Sequence, residues 1–166
     1  GSSDLGLLAH PYLARLGPDL LDPDLHWRAL ARRLNDPAFR NRSLGALYLD
    51  QGFLAGLGNY LRSETLFAAG LHPACRPRDL DLKTRNRLAR ATLEISWRAY
   101  RSGGTNPEAR VAALKVAGQP RRGYRFAVFG RDGRPCHTCG VIIERLTVAS
   151  RRLYRCPGCQ PEPAQR

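Results

Sequence analysis

The sequence predicts a mainly α-helical protein that ends in a small β unit. Two patterns indicate this fold class. Apolar residues recur at helical spacing through the first two thirds of the chain, in segments separated by glycine and proline. Beyond residue 123, apolar and polar residues alternate as in β-strands, and four cysteines in two Cys-x-x-Cys pairs flank the second alternating segment. The helices are therefore expected first and a cysteine-stapled hairpin last.

Four helices are expected, and glycine, proline or a capping side chain bounds each of them. Their ranges are 24–34, 43–51, 60–69 and 81–101. Asp24 is the expected cap of the first helix, and Asn59 is that of the third. Residues 103–123 are rich in glycine, proline and arginine and are expected to form a loop or linker. Strands are expected at 124–129, 141–148 and 153–155.

The composition is that of a globular protein with a basic surface. Of the 166 residues, 43% are hydrophobic and 25% are charged, which excludes a disordered tail. The formal net charge of +13 is uneven, because residues 98–166 carry 14 basic and 4 acidic side chains. Such a positive field favours a polyanionic partner, with counterion release from phosphates driving binding. A basic surface that only aids solubility is the alternative interpretation.

The sequence shows neither a membrane segment nor a secretory signal. No apolar run approaches the roughly 18 residues that a membrane helix needs, and the N-terminus lacks the pattern of a signal peptide. We therefore expect a cytoplasmic protein without a membrane partner, in which paired cysteines bind metal. The chain has no methionine and begins Gly1-Ser2-Ser3, which indicates a cloning scar. We expect a fragment whose natural N-terminal part is missing.

Cys136, Cys139, Cys156 and Cys159 are the expected ligands of one structural zinc ion. Sixteen residues separate the two Cys-x-x-Cys pairs, and each pair bends the backbone so that both sulfurs face one point. Four thiolates leave no open position on a tetrahedral ion, which excludes hydrolytic zinc. A unit of about 35 residues also needs such a staple to fold. Two disulfides or a redox dithiol are the alternatives, and Cys75, far from both pairs, is expected to be an idle thiol.

Two further segments are candidate phosphate-binding elements. The turn Gly56-Leu57-Gly58-Asn59 leads into the third helix, where free N–H groups and the helix dipole form a natural phosphate seat. Asn59 can cap this helix and still offer its amide to an anion. Arg151 and its neighbour in sequence, Arg152, are expected near the tip of the hairpin, within reach of phosphates. A glycine turn without a ligand and solvated turn arginines are the alternatives.

Two motifs in the correct order resemble the formamidopyrimidine-DNA glycosylase/endonuclease VIII family. Residues 49–64, which include Gly-Leu-Gly-Asn-Tyr-Leu-Arg-Ser-Glu, resemble its helix–two-turn–helix motif. Residues 126–160 resemble its C-terminal zinc finger, and residues 10–19 resemble the stretch that enters the helical domain in the endonuclease VIII style. The resemblance covers about residues 10–160. It implies four segments: connector 1–23, helix–two-turn–helix domain 24–122, zinc finger 123–161 and tail 162–166.

The resemblance implies the DNA-binding part of a bifunctional DNA glycosylase and AP lyase that excises oxidised pyrimidines in base excision repair. Family members attack C1′ of the damaged nucleotide with the amine of an N-terminal proline, helped by a glutamate and a lysine of the N-terminal domain. The start Gly1-Ser2-Ser3 supplies none of these groups, so the fragment alone is expected to bind DNA without cutting it. A non-catalytic zinc-ribbon module that binds nucleic acid is the main alternative, and a zinc-stabilised protein-interaction domain is a weaker one.

Site residues follow from positions in the matching motifs. Asn59, with Gly58 beside it, is expected to bind a phosphate, and Arg15 is expected to contact DNA. Arg151 resembles the finger arginine that grips phosphates beside the lesion and acts in the second elimination, so it is the expected catalytic residue of this chain. The expected partners are damaged double-stranded DNA and the N-terminal catalytic domain of the same protein. A monomer associated with the bacterial nucleoid is expected.

Overall fold

The computed structural model describes residues 16–164. Within this range the chain forms six helices, one 3₁₀ turn and a two-stranded antiparallel sheet, which confirms the predicted fold class. The helices are α1 (Trp27–Leu34), α2 (Leu44–Leu47), α3 (Asn59–Ala69), α4 (Leu82–Ser102), α5 (Glu108–Val116) and α6 (Arg121–Tyr124). The 3₁₀ turn is Pro77–Asp79, and the strands are β1 (Glu144–Val148) and β2 (Arg151–Arg155). Among residues 16–164, none of the helices combines the length and the hydropathy that a membrane span requires.

The helical core lies where α4 packs between α1 and α3. Leu34, Leu66 and Leu88, one from each helix, are fully buried there. Burying a leucine side chain contributes about 1.5–3 kcal/mol. Inside this core the hydroxyl groups of Tyr48 and Thr92 form a 2.8 Å hydrogen bond, and burial raises the pKa of the tyrosine. The core therefore fixes the position of α3, against which the hairpin packs.

The helix starts predicted near Ser43 and Asp81 and the helix ends predicted at Gly70 and Gly103 are confirmed. The Ser43 hydroxyl accepts a hydrogen bond at the start of α2, and the Asp81 carboxylate accepts one at 2.7 Å at the start of α4. Gly70 and Gly103 follow α3 and α4 in the left-handed conformation, with φ of 69° and 75°. This conformation is a common helix terminator that glycine adopts without steric cost.

Three predicted helix boundaries were wrong. The N-cap of α1 is His26, because the Asp24 N–H instead donates to Asp22 and closes a turn before the helix. Helix α2 ends at Leu47 rather than 51, because the Asp50 carboxylate binds the N–H of Gly52 at 2.8 Å and turns the chain. Asn59 is the first residue of α3, and its predicted role as the cap falls to Gly58. The side chain of Asn59 points elsewhere, as described below.

Residues 103–123, predicted as a loop or linker, contain α5 and most of α6. Helix α5 follows Pro107, begins with Glu108 and carries Lys115 in its last turn, an arrangement that suits the helix dipole. None of its residues is buried. Only Arg110, Val111 and Leu114 are half-buried, and apolar residues occur around the helix instead of in one stripe, so periodicity did not reveal it.

The strand predicted at 124–129 is absent, because its backbone binds a buried carboxylate instead of another strand. Glu64 of α3 accepts hydrogen bonds from the N–H groups of Ala127, Val128 and Phe129 at 2.7, 2.8 and 3.0 Å. It also accepts one from the Thr105 hydroxyl. Glu64 is 1% exposed, and burial raises its pKa, whereas the four donors oppose the rise. One carboxylate thereby anchors the segment that enters the ribbon.

The hairpin occupies β1 and β2, where strands had been predicted at 141–148 and 153–155. The ladder pairs Glu144 with Arg155 at one end and Val148 with Arg151 at the other. Strand β2 packs against α3, and the Ser63 hydroxyl accepts a 3.1 Å hydrogen bond from the N–H of Tyr154. The hairpin is therefore part of the same folded body as the helices.

Replacing Glu64 tests the anchoring of the entry segment. We expect Glu64→Ala to lower the free energy of unfolding by about 3–5 kcal/mol, because it leaves three N–H groups, two of them buried, without an acceptor. Thr105→Val is the matched control, since it removes a single hydrogen bond to the same carboxylate and is expected to cost about 1 kcal/mol. Urea unfolding of the metal-loaded chain measures both values. Equal losses for the two variants would contradict the anchoring role.

Candidate metal centre and nucleic-acid interface

The four predicted cysteines come together at the end of the hairpin. Their Sγ atoms all lie within 4.8 Å of one another. The Cys139 and Cys156 sulfurs are 3.2 Å apart, and those of Cys136 and Cys159 are 3.9 Å apart. Four sulfurs bound tetrahedrally at about 2.3 Å from one zinc ion lie roughly 3.8 Å from each other. The donor set thus fits a single tetrahedral ion, as the spacing had indicated.

Backbone geometry shapes this cluster for thiolate ligands. The N–H of Thr138 donates to the Cys136 sulfur at 3.3 Å, and the N–H of Cys159 donates to the Cys156 sulfur at 3.4 Å. Such donors favour the charged thiolate over the thiol. A Cβ at Gly158 would lie 2.9 Å from the Cys139 sulfur, so this position admits only glycine without a shift of its neighbours.

The cysteine cluster is docked onto the helical core through Gln160. This side chain is fully buried, accepts a hydrogen bond from the N–H of Cys156 and donates one to the carbonyl of Leu71, both at 2.9 Å. Leu71 follows the C-terminal end of α3. Arg155 donates to the Gln160 carbonyl at 2.7 Å and forms an ion pair with Glu144 across the hairpin. These contacts fix one end of the hairpin against one end of α3.

The opposite end of the hairpin is a two-residue turn formed by Ala149 and Ser150. Five-residue strands place this turn about 17 Å from the cysteine end. Both turn residues have positive φ, 54° and 65°, which costs roughly 1–2 kcal/mol for each non-glycine residue. Arg151 and Arg152 follow the turn directly, and both are exposed. The structure therefore places the predicted arginines at the tip, at the start of the returning strand.

The N-terminus of α3 lies beside this tip. Its N-cap residue, Gly58, has no side chain to bind the first N–H groups of the helix, and a Cβ there would meet nothing within 4 Å. Uncapped N–H groups and the positive end of the helix dipole attract anions. The open approach at Gly58 leaves room for such a ligand.

Asn59 connects the helix to the hairpin, instead of capping the helix. Its Nδ2 donates to the carbonyl of Arg152 at 2.9 Å, and its Oδ1 accepts a hydrogen bond from Arg62 at 3.0 Å. The amide has two N–H donors, and the second one has no partner among residues 16–164, so it can bind a ligand. The structure thus brings Gly58, Asn59 and Arg151 together, whereas Arg15 lies outside the described residues.

Arg62 lies beneath these groups and was not identified from the sequence. It is fully buried on α3, and its guanidinium donates to the carbonyls of Gly45 and Val148, both at 2.8 Å. Longer hydrogen bonds reach the carbonyls of Arg151 and Arg152 at 3.2 and 3.4 Å. The sequence does contain one signal for it: Arg62 lies one helical turn before Leu66, which places it on the apolar face of the helix. An arginine on such a face needs hydrogen-bond partners inside the protein.

The charge of Arg62 is not balanced by a carboxylate within residues 16–164, where no ion pair involves it. Burial lowers the pKa of Arg62 to about 10, and the nearby Arg151 guanidinium contributes to this lowering. The side chain therefore stays protonated at neutral pH. A buried cation, an exposed arginine and an uncapped helix start together form a positive site on the surface.

Comparison with known proteins agrees with this architecture. Residues 16–110 match the model of the formamidopyrimidine-DNA glycosylase H2TH domain. Over 154 residues the chain is 46% identical to proteins named Endonuclease 8 from Escherichia coli (strain K12 / DH10B) and Shigella sonnei (strain Ss046). The match covers 93% of this chain and 56% of those proteins. The chain thus spans little more than half the length of these relatives.

Solved structures of similar proteins show the same fold. The MutM (Fpg) protein from Thermus thermophilus superposes with a TM-score of 0.72 at 36% identity, over 93% of this chain and 57% of that one. The Lactococcus lactis Fpg in complex with abasic-site DNA superposes with a TM-score of 0.70 at 26% identity, over 92% of this chain and 55% of that one. Because the domain model matches more than half of its residues, the chain belongs to the formamidopyrimidine-DNA glycosylase H2TH family.

Proposed function

We propose that this chain is the DNA-binding part of a bifunctional DNA glycosylase and AP lyase that excises oxidised pyrimidines in base excision repair. The observation that carries the proposal is the positive site formed by Arg151 and the uncapped start of α3, above the buried Arg62. Relatives named Endonuclease 8 and a neighbour bound to abasic-site DNA support it. Its proposed partners are damaged double-stranded DNA and an N-terminal catalytic domain, and its proposed place of action is the bacterial nucleoid.

The chemistry of the site suits a phosphodiester. Guanidinium groups bind phosphate oxygens through charge-assisted hydrogen bonds, and helix N–H groups add further donors. Such contacts carry no sequence information, but they fix the position of the protein on the duplex. Enzymes that rotate a damaged nucleotide out of the stack must offset an unstacking cost of a few kcal/mol, and a clamp on the flanking phosphates does so.

Arg151 is the proposed catalytic residue of this chain. Its guanidinium is exposed, and we propose that it binds the phosphate beside the lesion together with Gly58 and Asn59. A guanidinium on a phosphate oxygen stabilises the charge that this group carries as it leaves, which is the proposed contribution to the second elimination. Arg15 is proposed to contact the DNA backbone in addition.

A structural zinc ion is the proposed occupant of the four-cysteine cluster. The sulfur-only donor set and the N–H···S hydrogen bonds fit zinc held by thiolates. When bound, the ion supplies a covalent cross-link between the two ends of the ribbon and no open coordination position. The residues around it then hold the hairpin against α3, with Arg151 at the far end.

Replacing the site residues tests DNA binding directly. We expect Arg151→Ala and Asn59→Ala each to weaken binding to a duplex with a tetrahydrofuran abasic-site analogue by about 10-fold or more. This loss of affinity corresponds to the free energy of one charge-assisted hydrogen bond. Fluorescence anisotropy across a salt series measures the affinity. Arg151→Ala should also reduce the slope of log K against log salt by about 1, because one phosphate contact is lost.

Arg101→Ala is the matched control for the net charge. Arg101 is exposed near the C-terminal end of α4 and stacks on Trp97, so its loss changes the total charge equally without touching the proposed site. Its affinity should stay close to that of the unsubstituted chain. An equal loss for Arg101→Ala and Arg151→Ala would assign the binding to overall charge rather than to this site.

Removing the metal tests the structural role of the cluster. We expect one zinc ion per chain by atomic spectroscopy, and we expect Cys139→Ser to lose both the ion and the near-UV circular dichroism of the packed aromatic residues. Cys75→Ser serves as the control, since Cys75 packs against the helical core away from the cluster and should retain the ion. A redox dithiol is indicated if the ion is absent and cysteines form disulfides under mild oxidation.

Incubation with abasic DNA tests whether the chain cleaves on its own. The described site consists of guanidinium groups, an amide and backbone N–H groups, which bind anions but offer no amine nucleophile for C1′. We therefore expect the 166-residue chain to leave the strand intact and to form no covalent adduct under borohydride reduction. A trapped adduct would refute this expectation.

A further inference from the structure

We propose that Arg62 is a positioning residue that holds the β1–β2 turn in the geometry from which Arg151 binds a phosphate. The inference rests on the proposed DNA binding and adds a residue that would not itself touch the DNA. It concerns how the tip of the hairpin keeps a single conformation, although the turn is strained and lies about 17 Å from the cysteine staple.

The turn needs an external constraint. Ala149 and Ser150 both occupy the left-handed region, and neither is glycine. Conformations of this kind persist only where the surrounding structure over-determines them. The side chains of both residues are exposed, so packing of the turn itself does not supply the constraint. The constraint must come from the residues that flank the turn.

Arg62 provides contacts on both sides of the turn. Its Nη1 binds the carbonyl of Val148, the last residue of β1, and its Nη2 reaches the carbonyl of Arg151, the first residue of β2. Val148 and Arg151 are partners across the hairpin, so one guanidinium holds the two strand ends that close the turn. Arg62 Nη2 also donates a 3.4 Å hydrogen bond to the carbonyl of Arg152, the next residue of β2.

The guanidinium is itself fixed to the helical core. Its Nη1 also binds the carbonyl of Gly45 in α2, and Asn59 accepts a hydrogen bond from its Nη2. A Cβ at Gly45 would lie 2.7 Å from a methyl carbon of Val148, so helix α2 and the hairpin end meet without space between them. The tip of the hairpin is therefore tied to two helices through one side chain.

Arginine suits this role better than lysine. A planar guanidinium directs five N–H donors along fixed directions, whereas an ammonium group is a compact donor on a flexible stem. The carbonyls that Arg62 binds come from α2 and from both strands, and only a forked group reaches them together. Because the Arg151 backbone is fixed in this way, less conformational entropy is lost when its side chain binds DNA.

The test is a double-mutant cycle in the full 166-residue chain, with the abasic-analogue duplex as probe. We expect Arg62→Lys to weaken binding about 10-fold when Arg151 is present and less than about 2-fold when Arg151 is replaced by alanine. This dependence follows if Arg62 acts through Arg151. Equal losses in both backgrounds, or no loss in either, would overturn the inference.

Arg131→Lys is the matched control for damage to the fold. Arg131 is also buried, and its guanidinium donates to the carbonyls of Ala127 and Pro135, both at 2.7 Å, so the chemistry of its contacts is the same. These contacts lie on the entry segment of the ribbon, away from the turn. We expect Arg131→Lys to lower the melting temperature without changing the affinity once the chain is folded. A loss of affinity equal to that of Arg62→Lys would also overturn the inference.

A second variant serves if Arg62→Lys does not fold. Replacing Ala149 and Ser150 by glycine removes the strain of the turn, and the same cycle is then measured in that chain. Binding of the unsubstituted chain distinguishes a failure of the proposed DNA binding from a failure of the positioning role of Arg62. If neither the unsubstituted chain nor Arg131→Lys binds the duplex, the proposed function fails. If both bind and Arg62→Lys binds equally well, only the positioning role fails.

Discussion

The structure depends on two buried ionisable side chains of α3 that bind main-chain atoms instead of each other. Arg62 binds carbonyl oxygens at the tip of the hairpin, and Glu64 binds N–H groups of the segment that enters the ribbon. Two residues apart on a helix, they point to opposite sides, so α3 lies between the two segments that it holds. Burying an ionised group costs several kcal/mol unless it is fully hydrogen-bonded. Peptide groups provide most of that compensation here, although the Nε of Arg62 has no hydrogen-bond partner among residues 16–164. These bonds join the helices and the ribbon into one folded unit.

The hairpin is consequently held at both of its ends. At one end the cysteine cluster and Gln160 fix it to the C-terminal end of α3, and at the other end Arg62 fixes it to the N-terminal end. A two-stranded hairpin alone is marginally stable in water, and two attachment points remove much of its freedom. The exposed Arg151 is thus presented from a rigid support, beside helix N–H groups that have no side-chain cap. Together they explain how a small basic domain concentrates positive charge at one place.

Most predictions that rested on local signals were accurate, although Asp24 and Asn59 were wrongly expected to cap their helices. Helices begin next to Ser43 and Asp81, as predicted, and these side chains bind N–H groups within three residues. Each Cys-x-x-Cys pair likewise forms within one turn of chain. Predictions failed where the signal was weak or distant. Helix α5 has no buried face, so no apolar period marks it. The alternation at 124–129 resembles a strand, but the backbone N–H groups there bind Glu64, 63 residues earlier.

The sequence by itself determined the order of helices and hairpin, the four cysteines that cluster and the segments that bear the candidate phosphate contacts, since spacing and capping act over a few residues. Only the tertiary structure decided which groups meet. The Asn59 amide binds a carbonyl 93 residues later, and Arg62 binds one 86 residues later. A side chain that binds peptide groups leaves no complementary residue type to recognise in the sequence, because every residue offers the same carbonyl. The contacts of Arg62 therefore became visible only once the hairpin was placed against α3.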